Sequence, residues 1–543
     1  MSRSTDPLLH RRQVIAAGGA LLASALLKSN QDAVSARDAG GPIRWSLTGV
    51  NDLVSLDPAK SSNIQDFTVV GLIYGGLVRL DEKLLVVPSL AEKWDVSEDA
   101  LTYTFTLREG IQFSDGTPIT ADDVVWTFNH ALDPSTGGWT GPYYFTAIEG
   151  ADDVAAGKTK EVSGVKKVYD RTVAITIKEP AAYFLSSLSA GPSKILSKAA
   201  IEAADDGAVT SGPFVVKKWN HGQGIDLVPN PKFYQPVTEV TELNFIFNQD
   251  SETGFQLYRT GAADILGSSQ DPIPAARVPE VSSSPDFRST PAFNTRYVAF
   301  NNVIEPFNNV QVRQALAHAI DRDTLANAVL GGTVTPTDRI LPAGFPASDL
   351  VIEGLAFDPA AAKDLLGKAG LDPSTFTFTL SYGVEGDNER VVTVLQSMWQ
   401  ENLGIKVELE PLELATFSSR LNDTYLDPSK GLQSYYSIWG ADYPDPQNFL
   451  SLQLQTGVGN NNSHYSNKEF DALTKEADTS VEDFAQRAEL YNKAEQIAVN
   501  EVGWLPLFNA KVNVLVRECI KGIEVTGMDY QFPDWSKLAG CPS

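Results

Sequence analysis

Two carboxylates on a restricted backbone lie in the stretch WGADYPDPQNFL, residues 439–450. Asp442 and Asp445 are separated by a tyrosine and a proline, and a second proline follows Asp445 directly. Because proline fixes the φ angle, acids held between prolines lose little freedom when they bind a partner. Trp439 and Tyr443 stand beside the acids, and their rings could attract a cation through their π faces. The stretch is therefore either an ordinary turn or a rigid anionic site for a positively charged group.

Signatures of catalysis are absent from the sequence. It contains no HExxH, GxSxG or GxGxxG motif. The histidines, at positions 10, 130, 221, 318 and 464, are spread singly, without the spacing of a metal site. The stretch GADDVAAGKT, residues 150–159, has too many residues between its outer glycines to form a phosphate loop. We therefore predict no catalytic residue, no metal and no cofactor, with a periplasmic hydrolase as the alternative from another functional class.

The composition of the chain limits the classes of molecule that it can bind. The chain has 543 residues, a formal net charge of −25 and a pI of about 4.6. This length predicts two to four domains, and a chain this acidic is repelled by phosphate backbones, so we expect no nucleic acid as partner. The 9 Trp, 17 Tyr and 25 Phe residues supply aromatic walls of the kind that line pockets for small solutes.

The first residues have the layout of a targeting segment. Arg11 and Arg12 precede an uncharged run, Val14 to Leu27, and Val34-Ser35-Ala36 follows as a small-residue cleavage site. The run of about 14 residues is shorter than the ~20 that span a bilayer as a helix. Residues 1–36 therefore resemble a twin-arginine export signal, which predicts a periplasmic protein.

Only two cysteines are present, Cys519 and Cys541, both near the C-terminus. In an oxidising compartment they could form one disulfide, but the sequence does not give the distance between them. The question of a Cys519–Cys541 bridge is therefore open at this stage, whereas a four-cysteine metal site is excluded.

Local patterns predict a mixture of short strands and amphipathic helices. In LTYTFTL, residues 101–107, apolar residues alternate strictly with threonine, which is typical of a half-buried strand that continues through Ile111–Phe113. Thr120 and Asp123 form a capping box for a helix over 122–132. Together these elements predict an α/β architecture with several lobes. Further predicted helices are 310–319, 360–368, 388–402, 468–477 and 481–500, and further predicted strands are 375–381, 405–409 and 510–516.

Seven segments carry a pattern that is shared with a known family. They are SLDPAK (55–60), PSLAEKWDVSEDALTYTFTLREGIQFSDGTPITADDVVWTF (88–128), SGPFVVKKW (211–219), YVAFNN (297–302), VRQALAHAIDRDTL (312–325), WGADYPDPQNFL (439–450) and YSNKEFDAL (465–473). Together they resemble the extracellular solute-binding proteins of the peptide/nickel type, which deliver oligopeptides, dipeptides and related solutes to ABC importers. The segments occur in the family's order, and the resemblance runs over essentially the whole mature chain. One small departure is Ala100, where the family usually has glycine.

The resemblance implies a two-lobed periplasmic-binding-protein fold of type II, α/β in class, with an extra domain. Discontinuous domains would close on a central cleft. Domain I would comprise residues 41–74, 194–290 and 509–543, domain II the inserted residues 75–193, and domain III residues 291–508. Hinge strands would lie near 290 and 509. We expect a monomer that delivers its ligand to the permease subunits of an ABC transporter.

The resemblance also implies ligand contacts. The position of Asp442 matches the acid that accepts the α-ammonium group of a peptide, while Asp445 has a structural role. The rings of Trp439 and Tyr443 would add cation–π attraction. The backbone from Ile438 through Gly440 and Ala441 would pair with an extended ligand as an added strand. Opposite this segment, the loop Ser62, Asn63 and Ile64 would contact the ligand.

One departure from the family bears on the ligand. Dipeptide-binding members have an arginine in the loop before the helix over 388–402, where it holds the ligand's carboxylate, but this chain has SYGVEGDNER with Glu385 near that place. Either longer peptides with ends held elsewhere are bound, or the ligand is a cationic solute such as an opine, a polyamine, a sugar-amine conjugate or a metal chelate. Glu385 could equally be a solvated loop residue. Candidate wall residues, each of which could equally belong to a core, are Trp139, Tyr143, Tyr144, Tyr435 and Tyr436.

Overall fold

The computed structural model describes residues 41–61, 63–203, 209–237, 239–270, 273–481, 483–532 and 534–542. The predicted export signal lies outside these residues and stays a prediction. No helix within the described ranges is long and apolar enough to cross a membrane.

The strands, in chain order, are β1 (Ile43–Thr48), β2 (Val78–Leu80), β3 (Val86–Pro88), β4 (Ala91–Val96), β5 (Thr102–Leu107), β6 (Val165–Tyr169), β7 (Thr172–Thr176), β8 (Phe214–Asn220), β9 (Gly224–Pro229), β10 (Leu243–Asn248), β11 (Ile265–Leu266), β12 (Phe287–Pro291), β13 (Asn294–Phe300), β14 (Thr335–Pro336), β15 (Thr377–Gly383), β16 (Lys406–Leu412), β17 (Ser434–Gly440), β18 (Leu505–Asn509), β19 (Lys511–Val516), β20 (Glu524–Thr526) and β21 (Asp529–Gln531). The longer helices are α1 (Ile64–Ile73), α2 (Ala121–Leu132), α3 (Ser251–Arg259), α4 (Val310–His318), α5 (Pro359–Lys368), α6 (Asn388–Leu403), α7 (Leu414–Leu426), α8 (Lys468–Thr479) and α9 (Phe484–Asn500).

Three larger sheets organise most of these elements, and two-stranded sheets pair β2 with β3 and β20 with β21. A seven-stranded sheet has the order β12-β19-β11-β1-β10-β9-β8, with β1 parallel to both β10 and β11. A six-stranded sheet has the order β14-β18-β13-β17-β15-β16, and a four-stranded antiparallel sheet has the order β4-β5-β7-β6. Each sheet draws its strands from a different part of the sequence, but the division into three domains with the predicted boundaries stays a prediction.

The strand with the clearest pattern forms as its sequence predicts. In β5 the residues Tyr103, Phe105 and Leu107 are buried while the threonines between them are half-buried. This alternation matches the side-chain period of two in a strand. The helix α2 follows, and the carboxylate of Asp123 accepts from the backbone N–H of Thr120 at 2.8 Å, as the predicted capping box requires.

One predicted strand does not form, one predicted helix begins later than expected, and the strands predicted over 375–381 and 405–409 lie at Thr377–Gly383 and Lys406–Leu412. The short strand expected over 111–113 is reduced to a single bridge between Gln112 and Pro118. The helix expected from residue 481 begins at Phe484, because the side chain of Asp483 accepts from two backbone N–H groups of the first turn and caps the helix there.

The six-stranded sheet is packed on both faces. Along β13, Val298 and Phe300 lie in one hydrophobic cluster, whereas Tyr297 and Ala299 lie in a second cluster on the opposite face. Because side chains alternate along a strand, β13 separates these two cores.

The chain passes between the two large sheets at two neighbouring points. One is the connection from β12 to β13, and the other is the connection from β18 to β19. The backbone N–H of Ala292 donates to the carbonyl of Ala510 at 2.9 Å, and the N–H of Ala510 donates to Asn294 Oδ1 at 3.0 Å. The two crossing segments are thus bonded to each other.

The C-terminal tail is fastened by a covalent bond. Cys519 and Cys541 form a disulfide, with 4.9 Å between their Cα atoms. Isolated bridges also join Ala539 to Lys521 and to Glu239. The structure thus answers the question about the two cysteines that the sequence left open.

Candidate functional site

The stretch 439–450 begins at the end of a strand and turns sharply. β17 ends at Gly440, and a single helical turn forms over Pro446–Asn448. The buried side chain of Asn448 holds the turn, since its Oδ1 accepts from the backbone N–H of Asp442 at 3.1 Å and from Trp439 Nε1 at 3.2 Å. Its Nδ2 donates to Asp442 Oδ2 at 3.0 Å. Asp442 is therefore fixed through both its backbone and its carboxylate.

Two tyrosines from a distant segment complete the surroundings of Asp442. Tyr143 donates to Oδ2 and Tyr144 to Oδ1, each at 2.9 Å, from a short helix over Thr140–Tyr144. Burial raises the pKa of Asp442, while the hydrogen bonds from Asn448 and the two tyrosines act in the opposite direction. Burial and the neighbouring Asp442 charge also raise the pKa of Tyr143, so its hydroxyl stays protonated.

These contacts leave acceptors that an ammonium group can use. A carboxylate has about four lone-pair sites, and Asn448 and the two tyrosines fill three of them. Both phenol hydrogens point at Asp442, so the phenol oxygens act as acceptors towards other groups. The Tyr143 oxygen accepts from Asn460 Nδ2 at 3.5 Å and has one further lone pair. One remaining carboxylate site and two phenol oxygens match the three donors of an ammonium group.

Asp445, the second acid of the stretch, has a different environment. Arg487 Nη2 lies 2.9 Å from each of its carboxylate oxygens, and both side chains are 6% exposed. Burial alone would lower the pKa of Arg487, but the charge of Asp445 raises it above the usual value. Arg487 Nε also donates to the carbonyl of Ala477 at 3.0 Å. Asp445 is thus part of a buried ion pair that fixes the turn to α8 and α9.

The strand that leads to Asp442 has one open edge. β15 pairs with β17 only through Tyr436, whereas β13 pairs with β17 as far as Gly440. Beyond Tyr436, no described residue pairs as a strand with the edge that faces away from β13, and Ile438 and Gly440 are exposed there. An open strand edge offers backbone donors and acceptors to an extended chain.

The predicted aromatic residues are distributed between this surface and the cores. The ring of Trp139 is half exposed, and its centroid lies 5.9 Å from that of Tyr143. Tyr443 is buried, and its ring stacks at 6.2 Å on Tyr183 of the segment that precedes β8. Tyr435 and Tyr436 are also buried.

The other predicted contact loop has a local role. Asn63 Oδ1 accepts from the backbone N–H of Asp66 at 2.8 Å and caps α1, whose first residue is the half-buried Ile64. Ser62 lies outside the described residues. Glu385 is exposed, and its backbone carbonyl accepts from the N–H of Asn388 at 3.0 Å. A role of these residues in ligand binding stays a prediction.

The sequence singled out Asp442 but did not predict which side chains form hydrogen bonds to it. Asn448 and the tyrosine contacts of Asp442 come together only in the fold. Among the described residues, no group of three or more His, Cys, Asp or Glu side chains is arranged to hold a metal ion.

Comparisons with known proteins identify similar chains. The family model described as "Bacterial extracellular solute-binding proteins, family 5 Middle" matches residues 86–461. A probable deoxycholate-binding periplasmic protein of Escherichia coli is 31% identical over 491 residues, with 87% of this chain and 89% of that protein covered. The periplasmic oligopeptide-binding protein OppA of Salmonella typhimurium is 31% identical over 495 residues, with 88% and 89% covered.

Solved structures show the same architecture. The murein tripeptide-binding protein MppA in its unliganded open form superposes with a TM-score of 0.76 at 25% identity, covering 93% of this chain and 97% of that one. OppA of Haemophilus influenzae in complex with RPPGFSPFR superposes with a TM-score of 0.71 at 26% identity, covering 92% and 98%. These likenesses confirm the predicted two-lobed α/β fold.

Proposed function

Because the chain belongs to the bacterial extracellular solute-binding proteins of family 5, we propose that it captures peptides in the periplasm and delivers them to the permease of an ABC importer. The observation that carries this proposal is the fixed carboxylate of Asp442, which lies at the end of an open strand edge with two tyrosine hydroxyls on it. The peptide's α-ammonium group binds there.

The free edge of β17 binds the remainder of the peptide through its backbone. An extended backbone adds to the free edge of β17 beyond Tyr436, and its N–H and C=O groups pair there irrespective of side chains. This arrangement suits a receptor for peptides of varied sequence. A cationic solute without a peptide backbone would use Asp442 but not the strand edge, and this difference separates it from a peptide.

Closure brings the tyrosines to the ligand. Tyr143 and Tyr144 come from a different part of the chain than Asp442, and Lys475 and Glu179 form an ion pair between the same two regions. The backbone N–H of Ala182 also donates to the carbonyl of Asp478 at 2.8 Å. A ligand that contacts both regions stabilises the closed arrangement over the open one.

The cellular setting is part of the same proposal. Residues 1–36 direct export by the twin-arginine route, and the mature chain acts as a monomer that binds its ligand without changing it chemically. The periplasmic names of the relatives support this location.

Calorimetry on the purified mature protein tests the proposal. A set of tri- and tetrapeptides is titrated with a free N-terminus and again after N-acetylation, which removes the ammonium charge. Asp442→Asn should weaken the free peptides about ten-fold or more, since hydrogen bonds to charged groups are worth about 1.5–3 kcal/mol. The control Asp423→Asn removes an equal charge from an exposed position of α7 and should leave binding unchanged. Equal affinity for free and acetylated peptides would refute the role of Asp442.

A further inference from the structure

A buried acid lies near the end of α8, where two distant regions of the chain touch. The backbone carbonyl of Asp478 accepts from the N–H of Ala182 at 2.8 Å. Beside this contact, the ring of Tyr183 stacks on that of Tyr443 with 6.2 Å between the centroids. Residues 182 and 183 come from the same part of the chain as the two tyrosines that donate to Asp442. Asp478 therefore lies in the contact that forms when the two regions close.

The carboxylate of Asp478 has hydroxyl donors but no counterion. Tyr491 donates to its Oδ1 at 2.5 Å, and Ser451 donates to the same oxygen at 2.8 Å. Among the described residues, no lysine, arginine or histidine nitrogen lies within 4.0 Å of this carboxylate. Because a buried carboxylate without a counterion is costly in its charged form, these surroundings favour the protonated acid.

A neighbouring acid takes the nearest cation. Arg487 Nη2 lies 2.9 Å from each carboxylate oxygen of Asp445 and donates to the hydroxyl of Tyr491 at 3.4 Å. One arginine thus lies beside two buried acids, and its charge is matched by Asp445. Of the two acids, Asp478 is the one that must carry a proton to stay buried without net charge.

The opposite region brings a ring and an acid to this place. Burial raises the pKa of Tyr183. The charges of Asp478, Glu179 and Asp445 act in the same direction, which places these acids near its hydroxyl. Lys475 of α8 forms an ion pair with Glu179 across the contact. Closure therefore covers Asp478 with Tyr183 and adds no counterion from the described part of that region.

This burial changes the acidity of Asp478. It raises the pKa of Asp478 to about 7, and the charge of Asp445 acts in the same direction. The hydrogen bonds from Tyr491 and Ser451 and the charge of Arg487 act against it. When the two regions separate, water reaches the carboxylate and the pKa returns towards that of an ordinary aspartate. Near neutral pH the acid therefore holds a proton more readily in the closed arrangement than in the open one.

We propose that closure over the ligand is coupled to the uptake of one proton by Asp478, so that the receptor holds its peptide more tightly at mildly acidic pH than at mildly alkaline pH. This inference rests on the proposed function and adds a regulation by pH to it. The proton comes from solvent, and no bond of the ligand changes. Its contribution to closure is largest below the ordinary pKa of an aspartate and is lost as the pH rises through about 7.

The test compares two proteins at each pH, so that the titrations they share cancel. Calorimetry with the tri- and tetrapeptides used above measures the affinity of wild type and of Asp478→Asn at pH ~6, ~7 and ~8. The amine of the peptide and the carboxyl of Asp442 titrate alike in both proteins. Because asparagine does not ionise, the ratio of variant to wild-type affinity should rise about ten-fold from pH ~6 to pH ~8. Glu476→Gln removes an exposed acid from the same helix and should give a ratio that does not change with pH.

Two further measurements report on the proton itself. Titrations in phosphate and in imidazole, which differ in ionisation enthalpy, give the number of protons taken up on binding. At pH ~6.5 wild type should take up more protons than Asp478→Asn, by a difference of up to about one. Tyr491→Phe removes a hydrogen bond to the ionised form of Asp478 and should move the pH dependence to higher pH.

The outcomes separate this inference from the proposed function. A ratio of affinities that stays constant with pH would overturn the coupling while peptide binding remains, because a purely structural role of Asp478 changes affinity by the same factor at every pH. Equal proton uptake by wild type and Asp478→Asn would overturn it as well. Failure of every peptide to bind at any pH would overturn the proposed function and this inference with it.

Discussion

Replacing Asp445 by asparagine should destabilise the protein without removing the charge that binds the ligand. Arg487 lies 2.9 Å from both oxygens of Asp445, and both side chains are 6% exposed. The substitution keeps the shape of the side chain but leaves the guanidinium charge buried without its counterion. Breaking a buried ion pair from one side costs about 3–5 kcal/mol. Since asparagine still offers one acceptor, we expect the free energy of unfolding to fall by about 3 kcal/mol.

Asp442→Asn should have the opposite effect, a small change in stability and a large loss of ligand affinity. Burial raises the pKa of Asp442, so its charged form is not favoured by the fold, and neutralising it removes no ion pair. The free energy of unfolding should change by about 1 kcal/mol or less. Affinity for a peptide with a free N-terminus should fall about ten-fold or more.

Urea unfolding followed by tryptophan fluorescence measures stability, and calorimetry on the same preparations measures affinity. Asp153→Asn is the control for stability, because its ion pair with Lys158 is exposed and such pairs contribute about 1 kcal/mol at most. The reasoning is refuted if Asp445→Asn destabilises no more than Asp153→Asn does. It is equally refuted if Asp445→Asn, still folded, and Asp442→Asn reduce affinity to the same degree.

Three further predictions follow from the described contacts. Because burial raises the pKa of Asp442 and the ligand's ammonium group needs the ionised form, calorimetry at decreasing pH should show affinity falling at a higher pH than for an ordinary carboxyl, and Asp442→Asn should flatten this profile. Burial raises the pKa of Asp478 to about 7. The protonated side chain therefore stabilises the fold at low pH, and this contribution is lost as the pH rises through about 7. In urea unfolding at pH ~8, Asp478→Asn should be more stable than wild type by a few kcal/mol. Reduction of the bridge between Cys519 and Cys541, which closes a loop with a sequence separation of 22, should lower the free energy of unfolding by about 3 kcal/mol.

Local patterns were sufficient where neighbouring residues decide the structure. The alternation in β5 and the cap of α2 depend on residues within a few positions of each other, so the sequence predicted both. The short strand expected over 111–113 failed because strand pairing needs a partner that the local pattern does not specify, and only Gln112 found one. The start of α9 was predicted at 481, three residues too early, because the apolar pattern does not show that Asp483 caps the helix.

The site shows where sequence reasoning stops. Asp442 and Asp445 look alike in the sequence, since prolines and aromatic rings surround both. What separates them is the identity of their partners: Arg487 lies 42 positions from Asp445, and Tyr143 lies 299 positions from Asp442. Such long-range pairs are set by topology. The resemblance to a family suggested a ligand-binding role for Asp442, which stays a prediction.

We expect the two bonded crossings between the large sheets to guide how the lobes move. Sliding one crossing segment past the other would break backbone bonds such as that from Ala292 to Ala510. The lobes should therefore rotate about one preferred hinge axis. A cleft that always opens the same way presents the same rim, at the same angle, to whichever membrane protein receives its cargo.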